Sequence, residues 1–539
     1  LGKLDTPFYW PRWGYESGKS GSPLNLSFDS GHRAKVGYYM DLTQSFRLND
    51  DMDLGVRVYP TTRKGVGVGL STEYDFTKTP SSPLFMGKGS IESLYTTHDE
   101  GYIEMRHRHT LTENAVLLGR LEQWSDREFY KDFFYDEYKN RTAPRTFLNV
   151  TRTGDTTITT ATIRTSINGF VNETERLPEV THHILERPLT DNLYFSFDTI
   201  NGLNVRQPDH RTEAARSVNI ARLTYDLDLN EALSITPFLK AETTWYSETY
   251  NSDDSEGRFS ATLGATVQTR LHREYPGAAG FSGFKHIVVP SLTYTYTPEP
   301  SMSVYETPRF DAYDLVRGRS RIESKLDNIV LGRDSETEEV WQVARLSLYQ
   351  GTDLWNEVRK SQDYEAELDL RPRPWWGWML AAEQHNTDET FLFNDVDSLE
   401  NGWARFWNDV SRRLSNEDDM NDLSRFGSYK RFLTYLYYDD VAQGGKFDAR
   451  LGFAYTNTMD TTFNREVLYG LGYKLGNYWG VAFEHRYDFE RDELMQQEYE
   501  IRRVLHCWEA ALTFRDRQQG WDVGISFNIA AFPGTKVKF

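Results

Sequence analysis

The sequence predicts an all-β fold: one large antiparallel transmembrane β-barrel with long extracellular loops. Three observations carry the prediction. Apolar and polar residues alternate through segment after segment of the 539-residue chain. No run of about eighteen apolar residues exists to form a membrane-spanning helix. Aromatic residues make up 14% of the chain, and barrels place such rings at both membrane–water interfaces. A mean hydropathy of −0.65 and 26% charged residues do not oppose this, because a barrel strand is apolar on one face only. A soluble β-rich protein would share the composition. No helix–strand alternation occurs, which argues against a parallel α/β fold.

Residues 1–23 hold Pro7, Pro11, Pro23, Gly14, Gly18 and Gly21 and read as a lead-in, not a strand. From Lys35, Val36, Tyr38, Met40 and Leu42 alternate with Gly37, Tyr39, Asp41 and Thr43. Asn49-Asp50-Asp51 turns the chain, and Leu54, Val56 and Val58 then alternate with Gly55, Arg57 and Tyr59. After a turn at Thr62-Arg63-Lys64-Gly65, Val66, Val68, Leu70, Thr72, Tyr74 and Phe76 alternate with Gly67, Gly69, Ser71, Glu73 and Asp75. Successive strand residues point to opposite faces, so charge falls on one face only. Spans of about ten residues exceed the usual soluble strand of about five or six.

The pattern returns at Ala221–Leu227, Phe259–Val267, Phe447–Tyr455, Trp479–Tyr487 and Trp508–Phe514. It closes with Trp521, Val523, Ile525, Phe527 and Ile529 set against Asp522, Gly524, Ser526 and Asn528. The order Asp522, Gly524, Phe527, Ile529 resembles the terminal signal by which outer-membrane barrels are recognised for insertion. That resemblance implies the barrel-assembly machinery as a partner. Late turns are short, as at Asn457–Thr462 and Gly476-Asn477, and several earlier connections are long and polar, which is the outer-membrane pattern. One of these, 396–414, sets Leu399, Trp403, Phe406, Trp407, Val410 and Leu414 at helical spacing. It is expected to form a short amphipathic helix that packs on its own loop. Asp126–Lys139 is another connection, aromatic and acidic.

The net charge of −19 argues against nucleic acid as a partner. Cys507 is the lone cysteine and cannot form a disulfide within this chain. The chain starts at Leu1 without a basic-then-apolar leader; an exported protein would have lost one, so this absence does not discriminate, and the chain reads as mature or trimmed. His-Glu-x-x-His, Cys-x-x-Cys and G-x-S-x-G are absent, and Gly14 to Lys19 is one residue short of a phosphate-binding loop. Gly65, Gly67 and Gly69 alternate with valines, as small residues on one strand face do, whereas a dinucleotide loop must open a helix. In Arg106-His107-Arg108-His109 the histidines share one face and the arginines the other. Two histidines without a third ligand make a poor zinc site, so lumen or rim charge is the expectation. His182 and His183 point apart on an extended chain. No two carboxylates are paired by the sequence for acid–base work. No catalytic residue, metal or cofactor is expected, and the chain does not read as an enzyme.

Several stretches, in order along nearly the whole chain, resemble the LptD family of lipopolysaccharide-assembly barrels. They are Thr6-Pro7-Phe8-Tyr9-Trp10-Pro11, Ser125-Asp126 with Tyr130-Lys131-Asp132-Phe133, and Glu175-Arg176-Leu177-Pro178-Glu179. The strongest block runs from Val289-Pro290-Ser291-Leu292-Thr293-Tyr294 through Tyr296, Pro298, Pro308-Arg309-Phe310-Asp311 and Arg319-Ser320-Arg321-Ile322 to Asn328. Cys507-Trp508 with Leu512, Phe514 and Arg515 resembles the family's end. The resemblance implies about 26 strands, or roughly twenty-one residues for each strand and its connection against spans of about ten. It implies residues 1–22 as the lead-in from an N-terminal periplasmic domain, missing here, and 23–539 as the barrel.

As partners the resemblance implies lipopolysaccharide, an LptE-like lipoprotein plugging the lumen, and a periplasmic Lpt bridge joined through the missing domain. The family usually has several cysteines bridging barrel and periplasmic domain; here only Cys507 matches, so a bridge would need a cysteine outside this chain. The family's early strands often carry prolines that weaken pairing with the last strand. Pro23 lies at the approach, but Thr43 stands where a second-strand proline is expected.

These readings set an expected function. The chain is an outer-membrane translocon of Gram-negative bacteria that inserts lipopolysaccharide into the outer leaflet through a lateral gate between first and last strands. The gate residues are expected to be Pro23, Leu24, Leu26, Phe28, Thr43, Gly524, Phe527 and Ile529. Proline removes a ladder donor, and register near glycine is poorly fixed. Lumen charge is expected from Arg57, Glu73, Asp75, Arg317, Arg319 and Arg321. A substrate-specific porin or a receptor-type channel is the alternative, and a soluble carbohydrate-binding β-protein belongs to another class.

Overall fold

The computed structural model describes residues 24–77, 87–138, 144–171, 173–206, 212–230, 232–250, 252–354, 362–385, 429–441, 444–458, 463–505, 508–517 and 520–528. The lead-in 1–22, Pro23, the amphipathic segment 396–414, Cys507 and Ile529 lie outside these residues. Among the described residues all strands belong to one sheet. Each strand pairs antiparallel with the next, and the last pairs with the first. The product is a closed antiparallel barrel of 26 strands. No helix of the described residues is long and apolar enough to cross a membrane.

The unbroken strands run from 8 to 17 residues, against about ten needed to span the hydrocarbon layer. Two of the 26 are each split in two. Thr212–Tyr225 resumes as Leu227–Asn230, and both parts pair with Leu233–Tyr246. Glu256–Thr269 resumes as Leu271–Pro276, and both pair with Phe281–Thr297. Both breaks have a proline in the facing strand, Pro237 beside the first and Pro290 beside the second. Proline brings no N–H to a ladder, so pairing lapses next to it. Register shifts at Arg176/Glu179 and Leu370/Arg373 likewise bracket Pro178 and Pro372.

Alternation sorts the side chains as the sequence predicts. Tyr38, Val68, Leu70, Leu263, Leu292, Leu451 and Ile501 are exposed on the outer face, while Asp41, Arg57, Glu73 and Arg321 point to the lumen. Soluble monomers rarely expose apolar patches beyond a few hundred Å². A greasy band repeated on strand after strand needs lipid, which removes the soluble alternative. The first strand, Leu24–Arg33, precedes the alternation that begins at Lys35 and turns back through 34–36. Connections at the rim where it ends include 125–145 and 298–318, whereas the opposite rim turns at Asn49–Met52, Thr112–Ala115 and Leu475–Trp479. Long loops mark the extracellular rim and short turns the periplasmic one.

Candidate functional site: the closing junction and the lumen wall

The barrel closes where Leu24–Arg33 meets Gly520–Asn528. Phe28 lies opposite Phe527, Asp29 opposite Ser526, Ser30 opposite Ile525, Gly31 opposite Gly524 and His32 opposite Val523. These five pairs form the shortest junction between neighbouring strands of the barrel among the described residues. The first strand makes ten pairs with its other neighbour and the last strand nine, and the next shortest junction has six. Leu24 and Leu26 pair with Phe46 and Gln44 of the second strand and have no partner among the described residues of the last.

The junction is tied at its extracellular end. The Ala34 N–H donates to Asp522 Oδ1 at 3.1 Å, and Arg517 pairs with the same carboxylate. On the outer face His32 stacks on Trp521 with ring centres 4.0 Å apart. On the inner face the Tyr39 hydroxyl donates to Asp29 at 3.2 Å, and the Arg33 guanidinium sits 4.4 Å above the Tyr39 ring. Toward the periplasmic end the described pairing stops at Phe28. Between the two, a Cβ built on Gly31 would stand 1.8 Å from the Val523 carbonyl oxygen, so only glycine allows the strands this close.

Thr43 lies on the lumen face, between Ser27 and Arg57 in register. Arg57 also faces inward, but its guanidinium is bonded to Asp41 at 2.8 Å through Nε and lies under the Phe134 ring at 4.7 Å. Glu73 is exposed in the lumen. Asp75 accepts the N–H of Thr77. Arg319 is exposed and Arg317 half-buried. Arg321 is enclosed by Glu323 at 3.0 Å, Asp353 at 3.3 Å and Asp363 at 2.5 Å. In Arg106-His107-Arg108-His109 the arginines face the lumen. His107 and His109 face outward, with the Tyr74 hydroxyl 2.7 Å from His107 Nδ1, so only half of that motif is lumen charge. The described residues hold no group of three or more metal-ligating side chains.

Two loops fold back into the lumen. The first is 125–138, whose helices Phe129–Phe133 and Tyr135–Tyr138 were read from sequence only as an aromatic, acidic connection. Phe129, Tyr130, Phe133 and Phe134 bury themselves against Tyr39, Tyr59, Leu94, Tyr102 and Trp124 of the inner wall. The Tyr130 hydroxyl and the Trp124 indole N–H both donate to Glu104, at 2.5 and 3.2 Å. The signal was present: at Tyr38-Tyr39, Val58-Tyr59, Leu94-Tyr95 and Tyr102-Ile103 both faces of the strand are apolar, so the inner face needs a cover.

The second loop is 298–318. Its turn Ala312–Leu315 is capped by Asp311, and Asp314 is wholly buried. Asp314 accepts from Arg216 Nη1 at 2.9 Å, the Tyr246 hydroxyl at 2.9 Å, and the N–H groups of Phe310 and Asp311 at 2.7 and 3.0 Å. Arg216 Nη2 also reaches Asp311 at 2.7 Å. Arg258, buried alongside, bonds the Asp314 carbonyl at 3.2 Å and Glu242 at 2.8 Å. Burial pushes the Asp314 carboxyl above its ordinary range. Burial also opposes charge on Asp311, but the hydrogen bond and charge of Arg216 outweigh it and hold that carboxyl low. Removing one member of such a buried pair leaves an uncompensated charge, so the cluster ties the loop to the wall. Sequence reading singled out Asp311 but not Arg216, Arg258 or Asp314, which lie far apart in the chain.

A closed barrel with a lipid-compatible exterior, a polar lumen and long loops at one rim is an integral barrel of the outer membrane. The family described as "LptD: LPS transport system D" matches residues 98–383, and the chain belongs to that family. It is a lipopolysaccharide-transport barrel of the outer membrane, with lipopolysaccharide as cargo and other Lpt components as partners. No curated protein matches the chain. Among solved structures it is similar to the siderophore receptor PirA from Pseudomonas aeruginosa, with a TM-score of 0.35, 7% identity, and 93% of this chain and 79% of that one covered. It is also similar to the FrpB iron transporter from Neisseria meningitidis, with a TM-score of 0.30, 7% identity, and 94% and 81% covered.

Proposed function

We propose that the junction between the first and last strands is a lateral gate through which lipopolysaccharide leaves the lumen for the outer leaflet. The cargo has a charged head and several acyl chains. Passing it whole through a closed wall would bury charge in hydrocarbon, and holding it in the lumen would leave the chains in water; both are costly. A wall that parts along one line lets the head travel in the lumen while the chains slide sideways into lipid. The observation that supports this reading is the closure between the described residues of the first and last strands, five pairs with Gly31 facing Gly524, against ten at the first strand's other junction. A ladder with fewer hydrogen bonds parts at lower cost. No bond of the cargo is made or broken in this scheme.

The finer partners belong to the same proposal. A plug lipoprotein of the LptE kind sits in the wide lumen, a periplasmic Lpt bridge supplies the cargo, and the barrel-assembly machinery inserts the chain through its last strand. Arg57, Glu73, Asp75, Arg317, Arg319 and Arg321 line the polar path, and Cys507 is available to a cysteine outside this chain.

The test uses cysteines at Ser30 and Ile525, which face each other across the junction, in a Cys507→Ser background. Residues paired across antiparallel strands lie about 4.5–5.5 Å apart at Cα, within disulfide reach. Oxidation is expected to stop delivery of lipopolysaccharide to the cell surface and reduction to restore it. Undiminished delivery by the oxidised protein would remove the gate.

A further inference from the structure

We propose that Lys88 and Arg108 hold a phosphate group carried on a saccharide, on the lumen wall near the periplasmic rim. The inference rests on reading the barrel as a conduit for a phosphorylated glycolipid, but it concerns a binding site separate from the gate. Most lumen charges of the described residues are paired; these two are not. They stand directly opposite each other on neighbouring strands, both are exposed, and neither has an ion pair among the described residues. Like charges placed opposite in a ladder repel and destabilise it. Asp75, across from Lys88 on its other side, accepts from Thr77.

A second like-charged pair lies one step along the ladder. Arg106 is opposite Arg120, and the two share the buried carboxylate of Glu122 at 3.6 and 2.5 Å. All four cations line one cavity of about 660 Å³, which is room for one or two sugar rings by the usual size of ligand pockets. The other half of that cavity is mainly acidic, with Asp50, Asp51 and Glu73 beside an Asp53 that pairs with Arg47 at 3.5 Å. Charge is therefore segregated, and an anion entering from the periplasmic side is repelled from one half and held in the other. A phosphate monoester suits the basic half. It carries close to two charges and three acceptor oxygens, for which an ammonium and a planar guanidinium supply point charge and paired donors.

Binding is measured on the detergent-solubilised protein with three probes: lipopolysaccharide stripped of its acyl chains with phosphates intact, the same saccharide dephosphorylated, and inorganic phosphate. None of these requires transport, so the result stands apart from the gate experiment. The phosphorylated saccharide is expected to bind roughly tenfold or more tighter than either other probe, as the loss of one charged hydrogen bond would suggest. The double variant Lys88→Gln with Arg108→Gln should lose that advantage. Both side chains are exposed, so the fold should survive, checked by heat-modifiable gel mobility. Glu73→Gln should bind as tightly as the parent or tighter. Parental binding by the double variant, or equal binding of the dephosphorylated saccharide, overturns the site. Equal binding of inorganic phosphate overturns its assignment to a sugar phosphate, and weakening by Glu73→Gln overturns its charge logic.

Discussion

Gly31 and Gly524 face each other across the line where the barrel closes, and a Cβ on Gly31 would stand 1.8 Å from the Val523 carbonyl oxygen. The obstacle is backbone, which cannot rotate aside as a side chain can. Gly31→Ala is therefore expected to push the two strands apart and cost about 1–3 kcal/mol, the usual penalty of overpacking. Gly69 supplies the control, because a Cβ there would meet the Ser93 carbonyl at 2.1 Å, away from the closure. Both variants should lower the temperature at which gel mobility shifts. Only Gly31→Ala should also let large antibiotics leak across the outer membrane.

The buried Asp314 should hold loop 298–318 in the lumen. Asp314→Ala strips Arg216 of one of its two carboxylates and Tyr246 of its acceptor. Breaking a buried pair from one side costs about 3–5 kcal/mol. The expected outcome is protease cleavage within 298–318 in a barrel that otherwise stays folded. A loop as resistant as the parent's would show that other contacts hold it.

Acid should act on the same loop in a set order. The Asp314 carboxyl is raised by burial and takes its proton first as pH falls; the stability tied to that shift grows in acid and is lost as pH rises. The Asp311 carboxyl, lowered by Arg216, contributes stability that is full above the ordinary aspartate value of 3.8 and is lost as pH falls through its lower folded value. Amides of 307–316 should stay protected from hydrogen exchange from neutral pH to about 4 and open below it. In Asp311→Asn the opening in acid should vanish.

Phe129 anchors the other infolded loop, stacked on Phe133 at 4.7 Å between ring centres and fully buried. Phe129→Ala should cost about 3–5 kcal/mol of local stability. Limited proteolysis should then cut within 125–138, with strand content by circular dichroism unchanged.

The wall of the barrel was legible because a period of two leaves a mark on every strand, from Val66–Asp75 to the last. The interruptions were legible in part: Pro178 and Pro290 sat in stretches already singled out, but proline's missing N–H shows its effect on the facing strand, at Asp226 or Arg270, which local reading does not reach. The infolded loops were harder. Tyr39, Tyr59 and Tyr102 occupy the wet face of their strands and read as ordinary alternation until Phe129 and Phe133 arrive to cover them. The anchor of Asp314 by Arg216 and Arg258 was out of reach, because nothing local in three charged residues on three separate segments marks them as partners. Arg57 and Arg321 could be named as lumen candidates from alternation, while their engagement with Asp41, Asp353 and Asp363 depends on register that only the closed sheet fixes.

The contact between His32 and Trp521 joins residues 489 positions apart. The first strand must wait for the whole length of the barrel before its second neighbour exists. Throughout the interval one edge of backbone donors and acceptors stays unsatisfied, an invitation to pair with the wrong chain. The ring therefore cannot be welded until its last strand is made. A nascent hoop this wide needs its free edge chaperoned for longer than any smaller one.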